Sequence, residues 1–243
     1  MNSKNNFKYS VLSIVSVLSI ALVWFGDKSS VLQLTEEDGV IESITAVFYL
    51  FGFIIGLITI FKRKRLFFPI IWTILCFLFL GEETSWFQRI LNYSVPAVEN
   101  VSEQNEFNLH NLNVFEGESL FVDGKLNKNG LIGFFMSSQN MFRLGFFGYF
   151  LILPVLLFMS RFNKFMKKIG YVKTDYKFIL ILCVVFGLSF ILAIYSPVDT
   201  KMAFAEVREM LYAFFIFMYI CVYIWPHYKF NYSMAKIEKG IMH

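Results

Sequence analysis

Three acidic groups stand where apolar runs begin or end, and their residue types are the ones in this chain best suited to chemistry. The first is Glu36-Glu37-Asp38-Gly39-Val40-Ile41-Glu42, in which Asp38 and Glu42 share a face once a helix has begun. The second is Gly81-Glu82-Glu83-Thr84-Ser85-Trp86-Phe87-Gln88-Arg89, and the third is Glu206-Val207-Arg208-Glu209. His110 lies in Asn108-Leu109-His110-Asn111-Leu112, away from His227 and His243 near the C-terminus. Carboxylates with one imidazole form a donor set for Mg²⁺, Mn²⁺ or Zn²⁺. Such an ion activates water or polarises a phosphoryl or acyl oxygen. On this reading Glu82, Glu83, His110 and Arg89 are catalytic. Glu82, Glu83, His110, Asp38, Glu42, Glu206 and Glu209 hold the metal.

The elements that must position these groups are apolar. The chain is 57% hydrophobic and 16% charged, where soluble domains run at about 45–50% and about 25%. Its charges punctuate long apolar runs: Tyr9–Phe25, Ser43–Phe61, Leu66–Leu80, Phe142–Ser160, Phe178–Tyr195 and Ala203–Trp225. This pattern predicts an all-α, polytopic membrane helix bundle of about six transmembrane spans, a single transmembrane domain over residues 1–243. The first run is longer than a signal-peptide core, and no small-residue cleavage site follows it, so it is read as a retained span. Cys76, Cys183 and Cys221 each lie inside an apolar run without metal-ligand spacing, and act as small hydrophobes. No nucleic-acid partner is expected; the partner this composition demands is a lipid bilayer.

Orientation follows from the basic residues. With both termini cytoplasmic, the inner segments hold Lys4, Lys8, the run 62–65, the basic residues between Arg161 and Lys177, and Lys229, Lys236 and Lys239. Asp175 and Glu238 are the inner acids, and the others fall outside. The predicted location is a bacterial inner membrane, multi-pass. Residues 92–140 then form an extracytoplasmic loop between the third and fourth spans. Phe107, Leu109, Leu112, Val114 and Phe115 in it have the makings of an interfacial amphipathic helix. Val122-Asp123-Gly124-Lys125 reads as a tight turn.

Length sets the depth of the middle acids. Leu66 to Leu80 rises about 22 Å as a helix, against a hydrocarbon core of about 30 Å. The third span therefore continues past Gly81 and carries Glu82 and Glu83 below the outer interface, at about 2.5–3.5 kcal/mol each. On a continuing helix, Glu82, Ser85 and Arg89 share a face. Simpler roles stand beside the chemical ones. Glu36, Glu37 and Asp38 suit a solvated loop, and Glu206 and Glu209 suit a helix N-terminus. Trp86 suits an interfacial anchor. Glu82 and Glu83 suit ion pairs with Arg89, Arg143 or Arg208.

Glu37-Asp38-Gly39 with Glu42, the run Gly81–Arg89 and Asn108-Leu109-His110-Asn111-Leu112 together resemble a family of uncharacterised bacterial inner-membrane proteins. The resemblance covers about a third of the chain, and the family's motif carries Ile and Gly where Thr84 and Phe87 stand here. It implies a membrane fold and no particular activity. The comparison with intramembrane CAAX-type proteases is looser: Arg89 lies two positions too far from the paired glutamates, and no span carries a histidine.

Three functions are compatible with these residues. One is a metal-dependent membrane enzyme, a hydrolase or transferase acting on a lipid or lipid-linked substrate from the outer face. A second is a non-catalytic assembly or sensory partner with structural Glu–Arg pairs. A third is an ion-coupled transporter, against which stand the absence of an inverted repeat and the placing of the acids near one face.

Overall fold

The structure is a computed structural model that describes residues 3–36, 39–61, 67–99, 121–122, 125–126, 132–135 and 137–227. The basic run 62–65, Asp38, His110, Asp123-Gly124, the proposed helix around Phe107–Phe115 and the C-terminal tail from residue 228 lie outside the described residues. The helices are α1 (Ser3–Phe25), α2 (Lys28–Leu34), α3 (Val40–Phe61), α4 (Phe67–Glu83), α5 (Gln88–Leu91), α6 (Pro96–Glu99), α7 (Ser138–Leu156), α8 (Ser160–Lys168), α9 (Tyr176–Tyr195) and α10 (Val198–His227). A two-residue antiparallel pair, Phe121–Val122 with Lys125–Leu126, flanks the predicted Asp123-Gly124 turn. Among the described residues, five helices are long and apolar enough to cross a membrane: α1 from Asn6 onward, α3, α7, α9 and α10. The third apolar run forms α4, which has 17 residues.

Some boundaries differ from the sequence reading, each for a local reason. The fourth run is helical over Ser138–Leu156, not Phe142–Ser160, because the chain turns at Leu157 and Phe158 and Ser160 opens α8. A π-helical stretch, Gly148–Ile152, precedes the buried Pro154, whose missing N–H interrupts the ordinary ladder. The last run starts at Val198, directly after Pro197. The connector after α1 contains a helix of its own. Asp27 caps α2 by accepting the Ser30 N–H at 3.2 Å, and Val31, 3% exposed, anchors it.

The chain divides into two compact units. One comprises Met1–Phe77 and Met159–His243, the other Leu78–Phe158. In the first, α10 is the hub: 67% of its most apolar window is buried, against 17–28% in the other four candidate spans. Aromatic rings join it to its neighbours. Phe48 of α3 lies 5.1 Å from Phe214, Phe186 of α9 stacks on Tyr212 at 4.5 Å, and Trp72 of α4 meets Tyr219 at 5.6 Å. The pairs Phe178–Phe215 and Phe186–Tyr212 run in opposite directions along the chain, so α9 and α10 form an antiparallel hairpin closed by Ser196 and Pro197.

Helices α3 and α4 approach through small residues. A Cβ on Gly56 would stand 2.2 Å from Thr73 Oγ1, and one on Gly52 2.9 Å from Cys76 Sγ. This is a small-xxx-small contact, in which close backbone approach replaces side-chain interlock. In the second unit, Phe79 of α4 packs edge-on against Phe142 of α7 at 5.1 Å, and Phe146 and Phe150 continue the aromatic row at 4.9 Å.

A polar clamp fastens one end of the first unit. Asp175 Oδ1 accepts the Phe178 N–H at 3.0 Å and so caps α9. Its Oδ2 accepts the Tyr9 hydroxyl from α1, the Tyr223 hydroxyl from α10 at 2.7 Å, and Lys8 Nζ at 3.4 Å. Lys8 Nζ also lies 4.7 Å and 4.8 Å from the ring centroids of Tyr9 and Tyr223. Burial raises the Asp175 pKa, but the bonds from Tyr223, Tyr9 and the Phe178 N–H, with the Lys8 charge, outweigh it and hold the carboxyl below the usual carboxylate range.

Two outcomes are expected. Gly56→Leu should prevent α3 and α4 from closing and lower the melting temperature in detergent sharply, whereas Ile54→Leu, at an exposed position of α3, should leave it nearly unchanged. Asp175→Asn should cost about 1.5–3 kcal/mol at neutral pH through lost charge-assisted bonds. Because the folded pKa lies below the unfolded one, that contribution is full above the ordinary carboxylate range and fades as pH falls towards the folded pKa. The melting curves of wild type and variant should therefore converge below about pH 4. A gap as wide at pH 3 as at pH 7 would rule out the charge as its cause.

Candidate functional site

The helix α4 carries Glu82 and Glu83 as its last two residues and then stops. Thr84 ends it: its N–H still reaches Leu80 O at 3.1 Å, and its hydroxyl donates to the same carbonyl at 2.8 Å. The next three residues are left-handed, Ser85 at φ 47°, Trp86 at φ 51° and Phe87 at φ 64°. Each such residue with a Cβ costs roughly 1–2 kcal/mol, so a run of three persists only where its surroundings over-determine it.

Those surroundings are the motif residues themselves. The Trp86 indole lies over Gly81, where a Cβ would stand 2.9 Å from two ring atoms. Its Nε1–H donates to Glu82 Oε1 at 2.7 Å, and Tyr93 donates its hydroxyl to Trp86 O at 2.8 Å. Ser85 is 3% exposed. Glycine, glutamate, serine and tryptophan thus form one closed turn that fixes a carboxylate oxygen at the end of an apolar helix.

This geometry corrects the continuing-helix reading. Glu82, Ser85 and Arg89 do not share a helical face, because the helix ends at Glu83 and the chain reverses. Glu82 accepts a hydrogen bond from Trp86, four residues on, so Trp86 is part of the turn and not only an anchor. Arg89 lies in α5, with its side chain outside the described residues. Arg143 donates to Gln139 at 3.1 Å and Asn140 at 3.2 Å on its own helix.

The proposed ligands fall into two sets. Glu82 and Glu83 belong to the second unit, as does His110 by its place in the chain. Glu42, in the first turn of α3, and Glu206 and Glu209 on α10 belong to the first, with Asp38. Among the described residues, no group of three or more His, Cys, Asp or Glu side chains is placed to hold an ion.

Glu206 and Glu209 do not open their helix. They lie about 12 Å and 17 Å from its first residue, beyond the first turn to which dipole stabilisation is confined. They share a face at i, i+3, while Arg208 points elsewhere, is 8% exposed, and places its guanidinium carbon 4.8 Å from the centroid of Phe190.

Two features escaped the sequence reading. The Asp175 clamp leaves no trace in spacing, since its members lie 48 to 167 residues apart. The left-handed run is equally silent, because Ser, Trp and Phe carry no propensity for it.

Comparison with protein-family models, curated proteins and solved structures finds no match. The fold defines a class: a helical protein with five helices fit to cross a membrane, and a strained acid-bearing turn at the end of another apolar helix.

If the turn is held by its motif, Phe87→Val should destabilise the protein by about 1–2 kcal/mol, because a β-branched residue is poorly suited to positive φ. Phe87→Gly should be tolerated or raise the melting temperature. Equal losses in the two variants would show that the ring of Phe87, not its backbone, is what the turn needs.

Proposed function

We propose that the chain is a six-span protein of a bacterial inner membrane, with both termini cytoplasmic. In this reading Glu82, Glu83 and His110 form an extracytoplasmic site acting on a lipid or lipid-linked substrate, with a divalent cation. The topology rests on the basic residues at one set of span ends and on α4 as the sixth span. At 17 residues α4 is about 25 Å long, short of the roughly 30 Å hydrocarbon core. Crossing with its basic end inside leaves Glu82 and Glu83 just below the outer interface, within side-chain reach of lipid headgroups. The left-handed Phe87 supports the family resemblance, since the Gly that the motif carries there adopts such a φ without cost.

The observation that carries the site is the fixed carboxylate. Trp86 engages Oε1 of Glu82 across a strained turn, and strain held in this way marks functional positions. The donor chemistry fits the cation: carboxylate oxygens suit Mg²⁺, Mn²⁺ or Zn²⁺, and His110 would supply the third protein ligand. When bound, such an ion supplies Lewis-acid polarisation of a phosphoryl or acyl oxygen. The chain's own part is to orient Glu82 through the Trp86 N–H, to set Glu83 beside it, and to hold both at headgroup depth.

A second reading, ion-coupled transport, is favoured by the depth of Glu206 and Glu209. The 20 residues of α9 match the hydrocarbon thickness, at about 30 Å. The Ser196–Pro197 turn then lies at the interface, and the two acids well below it. Intramembrane carboxylates are typical of proton and cation relays.

Elemental analysis of the purified full-length protein decides between them. The enzyme reading expects a bound divalent metal, and Glu82→Gln or Glu83→Gln should weaken its retention by at least about tenfold, with Glu206→Gln and Glu209→Gln neutral. A metal-free wild type whose Glu82 and Glu83 variants keep every cellular phenotype removes the enzyme. Proton flux in proteoliposomes that Glu206→Gln or Glu209→Gln abolishes would install transport in its place.

A further inference from the structure

The helix α8 joins two candidate spans, α7 and α9, so the chain itself keeps it at a membrane surface. It has nine residues, and a carbonyl-capping turn closes it: Tyr171 N–H reaches Met166 O at 2.9 Å and Gly170 N–H reaches Lys167 O at 3.2 Å. On a helical wheel Lys167, Lys164, Lys168 and Arg161 fill an arc of about 120°, and Phe165, Phe162 and Met166 an arc of about 100° opposite. The two arcs are used differently. Met166, 5% exposed, packs into its own unit, while Phe165 remains 55% exposed at the border with Arg161 and Lys168. All four basic side chains of the helix are exposed. Asp175, seven residues beyond the helix, is already engaged by Tyr9, Tyr223 and Lys8.

An exposed aromatic edge beside a basic face, on a short helix tethered between two spans, is the arrangement of an interfacial helix. The apolar edge enters the boundary of headgroups and acyl chains, and lysine stems lie along it with their ammonium groups at the phosphates. Four positive charges on one helix, in no ion pair with an acid among the described residues, select an anionic headgroup over a zwitterionic one.

We propose that α8 is an anionic-phospholipid binding helix, lying in the interface with Phe165 in the lipid and Arg161, Lys164, Lys167 and Lys168 on headgroup phosphates. This stands apart from the acidic site at the end of α4 and needs only that α7 and α9 cross the bilayer.

Native mass spectrometry of the full-length protein, released from micelles with equal phosphatidylglycerol and phosphatidylcholine, tests it. The wild type should retain phosphatidylglycerol severalfold over phosphatidylcholine. The Lys164→Gln, Lys167→Gln, Lys168→Gln triple variant should lose on the order of tenfold or more of that preference. Lys201→Gln, an exposed base on α10, should keep it. An unchanged preference in the triple variant, or none in the wild type, overturns the proposal. A second measurement does not depend on removing charge. In proteoliposomes, Phe165→Trp emission, read as the difference from the wild type with its four tryptophans, should be quenched more by brominated phosphatidylglycerol than by brominated phosphatidylcholine. Equal quenching by the two lipids, or none, counts against the helix.

Discussion

Hydrocarbon offers no hydrogen bonds, so each polar group placed in it needs a partner from the chain, and each charge needs a neighbour or a route to water. Four buried hydroxyls inside the helices follow this rule, while Ser189 Oγ of α9 is buried without a hydrogen bond among the described residues. Ser16, Thr45, Thr59 and Thr73 each donate to the carbonyl one turn back, at 2.7, 2.9, 2.7 and 2.6 Å. The charges obey it in another way. Asp175 stands at the first residue before a span and collects donors from three helices there, so one carboxylate both caps α9 and ties α1 to α10. The same rule leaves the ends of apolar helices as the places where acids collect.

That rule is also why much of the fold was legible from residues alone. The runs at Tyr9–Phe25, Ser43–Phe61 and Phe178–Tyr195 lie within observed helices and match their C-terminal ends at Phe25, Phe61 and Tyr195. Burial in lipid is a matter of composition, and composition is visible. What was hidden depends on contacts between distant residues or on local dihedrals. The helix α2 was hidden because its seven residues are polar overall and held by one buried valine and one aspartate cap. The depth of Glu206 was hidden because polar residues at Asp199 and Lys201 mask a helix that has already begun.

The candidate site divides along the same line. Counting residues carried the third apolar helix past Gly81 to Glu82 and Glu83 and on towards Arg89; α4 includes both acids but ends on them. What holds Glu82 did not follow. A helical extrapolation carries Ser85 to its side, whereas three left-handed residues turn the chain and bring the Trp86 indole to the carboxylate instead. Gly81 matters for the same reason: its lack of a side chain makes room for the ring. The motif is therefore a set of mutually dependent parts, in which the glycine admits the indole and the indole bonds the acid.

The hub helix poses the harder question of how α10 bears Glu206, Arg208 and Glu209 inside a membrane protein. Direction supplies the answer for the arginine. Side chains on a helix lean towards its N-terminus, which for α10 is the end joined to α9 by Ser196 and Pro197. Arg208 Cα lies about 15 Å from that end and Phe190 about 7–8 Å from the end of α9. The guanidinium lies against the Phe190 ring, so the side chain crosses to α9 and buries its methylenes on the way. Glu206 and Glu209 stand on a different face of the same turns. The run from Met210 to Ile216 carries no ionisable side chain other than Tyr212 and serves as the core.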